Sequence, residues 1–309
     1  MATTTSITTT YAGEFAGKYI SAALLSGKTL AEGNITIKPN IKYKEVVKKV
    51  ATDGIVKDAT CDFTDTSTIT LTERIIQPEE FQVNLELCKK DFRSDWEAVQ
   101  MGYSAYDNLP PSFADFLIAH AADKVAQKIE QNIWNGTNAT TGEFDGFNVL
   151  VAADSDVVDV SGTPITAANV VTELGKVVDA IPSSIYGSED LTIYAPANVY
   201  RAYIRALGGF GASGLGAAGT DNKGTQWYSE GQGLQFDGVK IVLAQGLANE
   251  QILCAEKSNL WFGTGLMSDQ NEVKVIDMAD LDGSQNVRVV MRFTAGIQYG
   301  IGSEIVWYA

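Results

Sequence analysis

The sequence predicts an α+β fold: a β-rich first third, one long amphipathic helix, and an α/β lobe closed by long strands. Three observations carry that expectation. Strand-like text fills Ile35 to Leu87, where Phe81-Gln-Val-Asn-Leu-Glu-Leu87 alternates apolar and polar residues with the period of two of a pleated strand. After the breaker Asn108-Leu-Pro-Pro111, apolar residues recur at helical spacing as far as Trp134. Beyond about residue 166, helix and strand signals alternate before three β-type runs end the sequence. At 309 residues the chain exceeds one ordinary compact domain, so two lobes, or one lobe with large insertions, are expected.

The elements follow in order. Residues 1–29 read as a small, polar, flexible arm around one apolar stretch, Tyr19 to Leu25. The opening Met1-Ala-Thr-Thr-Thr-Ser-Ile-Thr-Thr-Thr10 has neither the basic nor the apolar region of a secretory signal. Ile35-Thr-Ile37 and Tyr43-Lys-Glu-Val-Val-Lys-Lys-Val50 read as strands, and Thr52-Asp-Gly54 as a hairpin turn, because Asp-Gly tolerates the positive φ such turns need. Thr68-Ile-Thr-Leu-Thr72 alternates as a half-buried strand would. The whole excursion is polar, has little core of its own, and needs a partner surface to lie on.

Ser112 is placed to cap the long helix, with Asp115 three residues on. Its stripe is Phe113, Phe116, Leu117, Ala121, Val125, Ile129 and Ile133, and Asn135-Gly136 stops it. About 23 residues at 1.5 Å each give a rod of about 34 Å. A second helix starts near Thr166, buries Val170, Val171, Leu174, Val177, Val178 and Ile181, and ends at Pro182. Strand Leu191-Thr-Ile-Tyr-Ala195 leads through Pro196 into a third helix. A flexible loop is expected over Leu207 to Gly224, rich in glycine at 208, 209, 211, 214, 216 and 219. Val239–Leu243, Gln251–Ala255, Glu272–Ile276, Asn286–Phe293 and Glu304–Tyr308 read as strands.

Composition excludes several classes. With 45% hydrophobic and 20% charged residues, the chain is globular rather than disordered. No apolar run approaches the roughly 20 residues that span a bilayer. A net charge of -15 opposes the phosphate contacts on which DNA affinity rests, so a sequence reader of DNA is not expected. Cys61, Cys88 and Cys254 stand far apart, with no CxxC or Cys/His cluster, which points to a reducing compartment rather than to zinc or a disulfide framework.

A search for catalytic chemistry finds little. His120, the single histidine, has no nucleophile near it in sequence and reads as a structural helix residue. Gly209-Phe-Gly-Ala-Ser-Gly214 spells GxGxxG, but a helix precedes it where the dinucleotide fingerprint needs a strand. The acidic groups Asp53-Asp58-Asp62-Asp65 and Asp277-Asp280-Asp282 miss the calcium-loop register and read as solvated faces. The sequons at Asn34, Asn135 and Asn138 lack a secretory signal and read as incidental. No catalytic, cofactor or metal residues are assigned, and the chain is expected not to be an enzyme. Lys44, Lys48 and Lys49, with Glu73, Glu79 and Glu80 further on, fit either edge protection or charge matching between neighbouring subunits.

The order of parts resembles the Hong Kong 97-type capsid fold of tailed-phage major capsid proteins. The local text that carries the resemblance is Glu130-Gln-Asn-Ile-Trp-Asn-Gly136, then Gly142-Glu-Phe-Asp-Gly-Phe147, then Leu191-Thr-Ile-Tyr-Ala-Pro-Ala-Asn-Val-Tyr200. The resemblance implies an N-terminal arm at 1–29, an extended β-hairpin loop with flanking strands at 30–96, and a peripheral domain with a spine helix at 97–140. It further implies an α/β axial domain at 141–270 and return strands to the peripheral domain at 271–309. It implies pentamers and hexamers closing into an icosahedral shell around double-stranded DNA, without sequence-specific binding and without a membrane. Portal and scaffold proteins, and decoration proteins, would be partners, and assembly would occur in the bacterial host cytoplasm. The six glycines named above would form a loop near the symmetry axes. No charged helical prefix of the kind some relatives cleave is seen, so a separate scaffold is expected. Lys48, Lys49 and Lys57 lie where some relatives crosslink, but nothing identifies a partner, and no crosslink is expected. The competing readings are an encapsulin-like compartment, an enzyme on the α/β lobe, and a tube-, layer- or adhesin-forming protein.

Overall fold

The computed structural model describes residues 28–52, 54–59, 61, 63, 65–66, 68–92, 111–207, 234–265 and 273–309. The strands are β1 (Thr36–Lys38), β2 (Glu45–Thr52), β3 (Ile69–Ile76), β4 (Glu79–Cys88), β5 (Val158–Val160), β6 (Leu191–Ala195), β7 (Gln235–Phe236), β8 (Val239–Leu243), β9 (Ile252–Glu256), β10 (Leu260–Gly263), β11 (Val273–Asp277), β12 (Asn286–Tyr299) and β13 (Val306–Tyr308). The helices are α1 (Lys28–Ala31), α2 (Lys89–Phe92), α3 (Pro111–Asn135), α4 (Phe147–Ala152), α5 (Val170–Asp179), α6 (Ala197–Leu207) and α7 (Ala279–Asp282). Among the described residues no helix is long and apolar enough to cross a membrane.

Two sheets organise the chain. The first is built on β12, which pairs antiparallel with β4, β10 and β11, while β1 adds in parallel to β10. The second has the order β5-β13-β9-β6-β8-β7. Its β6 and β8 run parallel, joined through α6, as a strand–helix–strand crossover requires. In β6 and β9 the period of two serves two cores at once. Ile193, Ala195, Ile252 and Cys254 pack with α5 and α6, through Val170, Leu174, Val177 and Val199. Tyr194, Leu253 and Ala255 point the other way, towards Ile129, Ile133 and Trp134 of α3 and Phe262, Met291 and Ile297 of the first sheet. Burial on both faces explains why Leu191–Ala195 reads as an apolar run.

The α3 stripe Leu117, Ala121, Val125, Ile129 and Ile133 is buried, and Trp134 stacks against Phe147 and Tyr194 at centroid distances of 5.6 and 5.1 Å. Gly136 ends the helix because nothing larger fits. A Cβ there would stand 2.2 Å from the Phe144 carbonyl oxygen, where the 137–146 segment folds back and Gly146 N–H donates to Gly136 O at 2.9 Å.

Several expectations are corrected. Ser112 lies inside α3, whose described part opens at Pro111, a residue suited to a first turn that needs no N–H donor. Val171 is exposed rather than buried, because it sits about 100° round the helix from Val170. The hairpin does not reverse at Thr52-Asp-Gly54: Thr52 pairs with Ile69, so residues 53–68 form a long connection. The alternating Thr68–Thr72 run is not half-buried, since no layer of the described residues covers either face of its strand there. The segment 271–309 divides: β11 and β12 belong to the first sheet, whereas β13 pairs with β9 and β5 in the second. Likewise β10, inside 141–270, belongs to the first sheet.

Candidate assembly surface

The β2–β3 hairpin forms a two-stranded sheet of its own. Direct partners in an antiparallel pair share a face. One face therefore carries Val46 with Ile75, Lys48 with Glu73, Val50 with Leu71, and Thr52 with Ile69. Val46, Val50, Ile69, Leu71 and Ile75 are all exposed, and in the connection beyond them Val56 and Phe63 are 92% and 96% exposed. The apolar residues of this face form two exposed patches, Val46 with Ile75 and Val50 with Leu71 and Ile69, separated by the Lys48–Glu73 pair, and exposed apolar area of this kind makes the face a candidate interaction surface.

The opposite face is anchored at its root. Ile76 is fully buried, and Ile41 lies close by against Gly263. Arg74 forms an ion pair with Asp154 and sits 4.7 Å from the Tyr299 ring centroid. Tyr299 Oη donates to Asp154 Oδ2 at 2.7 Å. Partial burial works against the Asp154 carboxylate, but hydrogen bonds from Tyr299, the Asp156 N–H and Arg74 outweigh it and hold its pKa below the usual range. Gln298 Nε2 donates to Ile75 O at 3.1 Å. On the entering side, Lys38 pairs with Glu45 at 2.9 Å, and Asn40, at φ 65, turns the chain while its N–H donates to Gly265 O at 2.6 Å.

The residues singled out from sequence scatter. Lys48 and Glu73 face each other in register on the exposed face but form no ion pair with each other. Lys49 is on the inward face, where its charge bears on Glu304. The Lys44 ammonium lies 5.3 Å from the Tyr43 ring centroid. Glu79 and Glu80 are off the hairpin, in β4 opposite Ala295 and Thr294. Glu79 accepts from Asn138 Nδ2 at 2.8 Å, and burial together with nearby Asp145 pushes its carboxyl up. Gly208, Gly209, Gly211, Gly214, Gly216 and Gly219 lie outside the described residues. Charge alone does not locate the exposed apolar residues of this face. Their signal was present: Val46, Val47 and Val50 occupy both parities of β2, so neither face could be read as the solvent face.

A second apolar feature is a groove of about 420 Å³ between β4 and α3, lined by Phe81, Val83, Leu85, Ala121, Val125 and Phe293. His120 and Lys124 stand on its wall.

No protein-family model and no curated protein matches the chain by sequence. Solved structures do match in fold. The capsid of a native GTA particle is 13% identical, with a TM-score of 0.63 over 94% of this chain and 98% of the other. The capsid of the cyanophage P-SCSP1u is 14% identical, with a TM-score of 0.58 over 96% of this chain and 91% of the other. The capsid of the Myoviridae phage XM1 is 12% identical, with a TM-score of 0.58 over 94% of both chains. At these identities the likeness is one of fold.

Proposed function

We propose that this chain, built on the fold of phage capsid proteins, is a major capsid protein of a tailed phage, a shell-forming subunit rather than an enzyme. The observation that carries the reading is the apolar outer face of β2–β3, held out on an anchored root with no layer of the described residues over it. In a free subunit that face costs solubility, and laid across the next copy it becomes core. Contacts of this head-to-tail kind close into rings where the rotation between neighbouring copies closes. Pentamers and hexamers of the chain would then form an icosahedral shell around double-stranded DNA.

In this reading residues 1–29 are the arm, β2–β3 the extended loop, α3 the spine helix of a peripheral domain, and the six-stranded sheet with α5 and α6 the axial domain. The glycine-rich run at 208–224, outside the described residues, would serve the symmetry axes, where glycine would permit the different local shapes of five- and six-fold rings. A net charge of -15 suits an inner wall that must not hold its packed genome by phosphate contacts. Portal, scaffold and decoration proteins would be its partners, and the virion its destination after assembly in the host cytoplasm.

The test is electron microscopy of the purified chain, alone and with its candidate scaffold. Closed shells, or rings of five and six, are the expected result; a monomer under every condition overturns the reading. Shells that carry protein cargo rather than DNA from the producing cell would instead mark a cellular compartment.

A further inference from the structure

Glu130 lies near the end of α3 at 1% exposure, and among the described residues no lysine or arginine pairs with it. Its partners are neutral donors. Thr29 N–H donates to Oε2 at 3.2 Å, Thr29 Oγ1 donates to Oε1, and Trp134 Nε1–H donates to Oε1 at 3.3 Å. Trp134 Nε1 also lies 3.1 Å from Thr29 Oγ1. Thr29 is itself 2% exposed and belongs to α1, about a hundred residues away in sequence. The loop at Gly246 packs closely on α3 at this level: a Cβ there would stand 2.2 Å from the Glu130 main-chain carbonyl oxygen. The carboxyl is thus buried, and together with the Trp134 indole N–H it makes the hydrogen bonds that tie Thr29 to α3.

A buried carboxylate without a cation disfavours its own charge. Burial pushes the Glu130 carboxyl up, the hydrogen bonds from Thr29 and Trp134 offset part of that, and the like charge of Glu32, on the turn after α1, adds to it. The loop Gln245–Leu247 brings no ionisable side chain. Protonation removes the charge and keeps the contacts. One oxygen still accepts from the Thr29 N–H, and the new O–H can donate to Thr29 Oγ1, since a hydroxyl works in either sense.

We propose that Glu130 is a proton-operated latch that holds α1, the root of the N-terminal segment, on the long helix. The latch is tight when the carboxyl is protonated and loosened when it is ionised, with one proton taken up per chain on closing. The sign follows from linkage. A carboxyl raised in the folded state stabilises most below its unfolded pKa, and that stabilisation is lost as pH rises through the folded pKa. The inference does not rest on the shell reading, since it concerns contacts within one chain.

The experiment is amide hydrogen exchange on the full chain between about pH 4.5 and 8, corrected for intrinsic exchange chemistry. Protection across Lys28–Asn34 is expected to fall several-fold as pH rises, while β6 and β9 stay unchanged. Glu130→Gln, neutral at every pH, should hold the acid-form protection throughout. Equal protection at all pH values in the wild type, or an unaltered pH dependence in Glu130→Gln, overturns the latch. If Glu130→Gln does not fold, carbon-13 NMR titration of the wild-type Glu130 carboxyl decides. A midpoint above the ordinary glutamate range supports the latch, and one at or below it overturns it.

Discussion

β6 and β3 are written in similar text, Leu-Thr-Ile-Tyr-Ala and Ile-Thr-Leu-Thr-Glu-Arg-Ile-Ile, yet the fold treats them in opposite ways. Every residue of β6 is buried, because helices cover one face of its sheet and α3 with the first sheet covers the other. In β3 only Ile76 is buried. The difference is one of layers, not of propensity: β-branched residues fit a pleated surface, and what lies over that surface decides whether they are core. One region is stabilised within the chain. The other leaves its apolar area uncovered by the described residues.

The largest expected effect lies in the self-sufficient region. Trp134 is fully buried where α3, α4 and β6 meet, against Phe147 and Tyr194. Trp134→Ala is expected to cost about 3–5 kcal/mol through lost burial and the cavity left behind, measured by urea unfolding. A cost under about 1 kcal/mol would mean that the core is not built as described.

An intermediate effect belongs to the root that joins the two regions. Arg74→Ala removes the ion pair with Asp154 and the cation over the Tyr299 ring. Asp154 would keep the Tyr299 hydroxyl and the Asp156 N–H, so about 1–3 kcal/mol is expected rather than more. Exchange should quicken at Ile75 and Ile76 and stay unchanged in β6; equal quickening in both would show that the hairpin is not a separable part.

The sequence made the buried region legible and the exposed one only partly so. The α3 stripe from Leu117 to Ile133 is buried where helical spacing put it, the helix stops at the Asn-Gly signal at 135–136, and the apolar run Leu191–Ala195 is a strand buried on both faces, because these signals report burial within the chain; Phe113 and Phe116 lie outside the described side chains. The hairpin defeats the same reasoning. Asp53-Gly54 looked like its turn because turn chemistry is local, whereas the true pairing, Thr52 with Ile69, is set by a register that local text does not encode. The charges Lys48 and Glu73 stand out in the text while their apolar neighbours Val50 and Leu71 do not, since an apolar residue in a strand reads by default as core. The membership of β13 in the six-stranded sheet was not readable either, because only tertiary pairing to β9 and β5 decides it.

Acid sharpens the comparison. Asp154 is held below the usual carboxylate range, so its stabilisation of the hairpin root is present above its unfolded pKa and is lost as pH falls through the folded value. Glu130 has the opposite sign. Lowering pH from 7 towards 3 should therefore speed exchange at Ile75 and Ile76 while slowing it at Thr29. Movement of both in the same direction would show global acid unfolding instead of two local anchors.

The smallest effect on the isolated chain is expected on the hairpin's outer face, where the comparison is most exposed to failure. Val50 and Leu71 are 61% and 64% exposed and pair directly across the strands. Val50→Ser with Leu71→Ser should shift unfolding by no more than about 0.5 kcal/mol, as surface changes usually do. The same variant should fail to form rings or shells under conditions where the wild type forms them. Two native thiols report the reason. Cys61, exposed in the hairpin connection, should react readily in the free subunit and become protected on assembly. Cys254, buried in β9 with its thiol pushed up to about 12, should react only on unfolding in either state. If Cys61 stays reactive in assembled wild-type particles and the double variant assembles normally, the apolar face is not the contact, and the exposed half of the comparison loses its meaning.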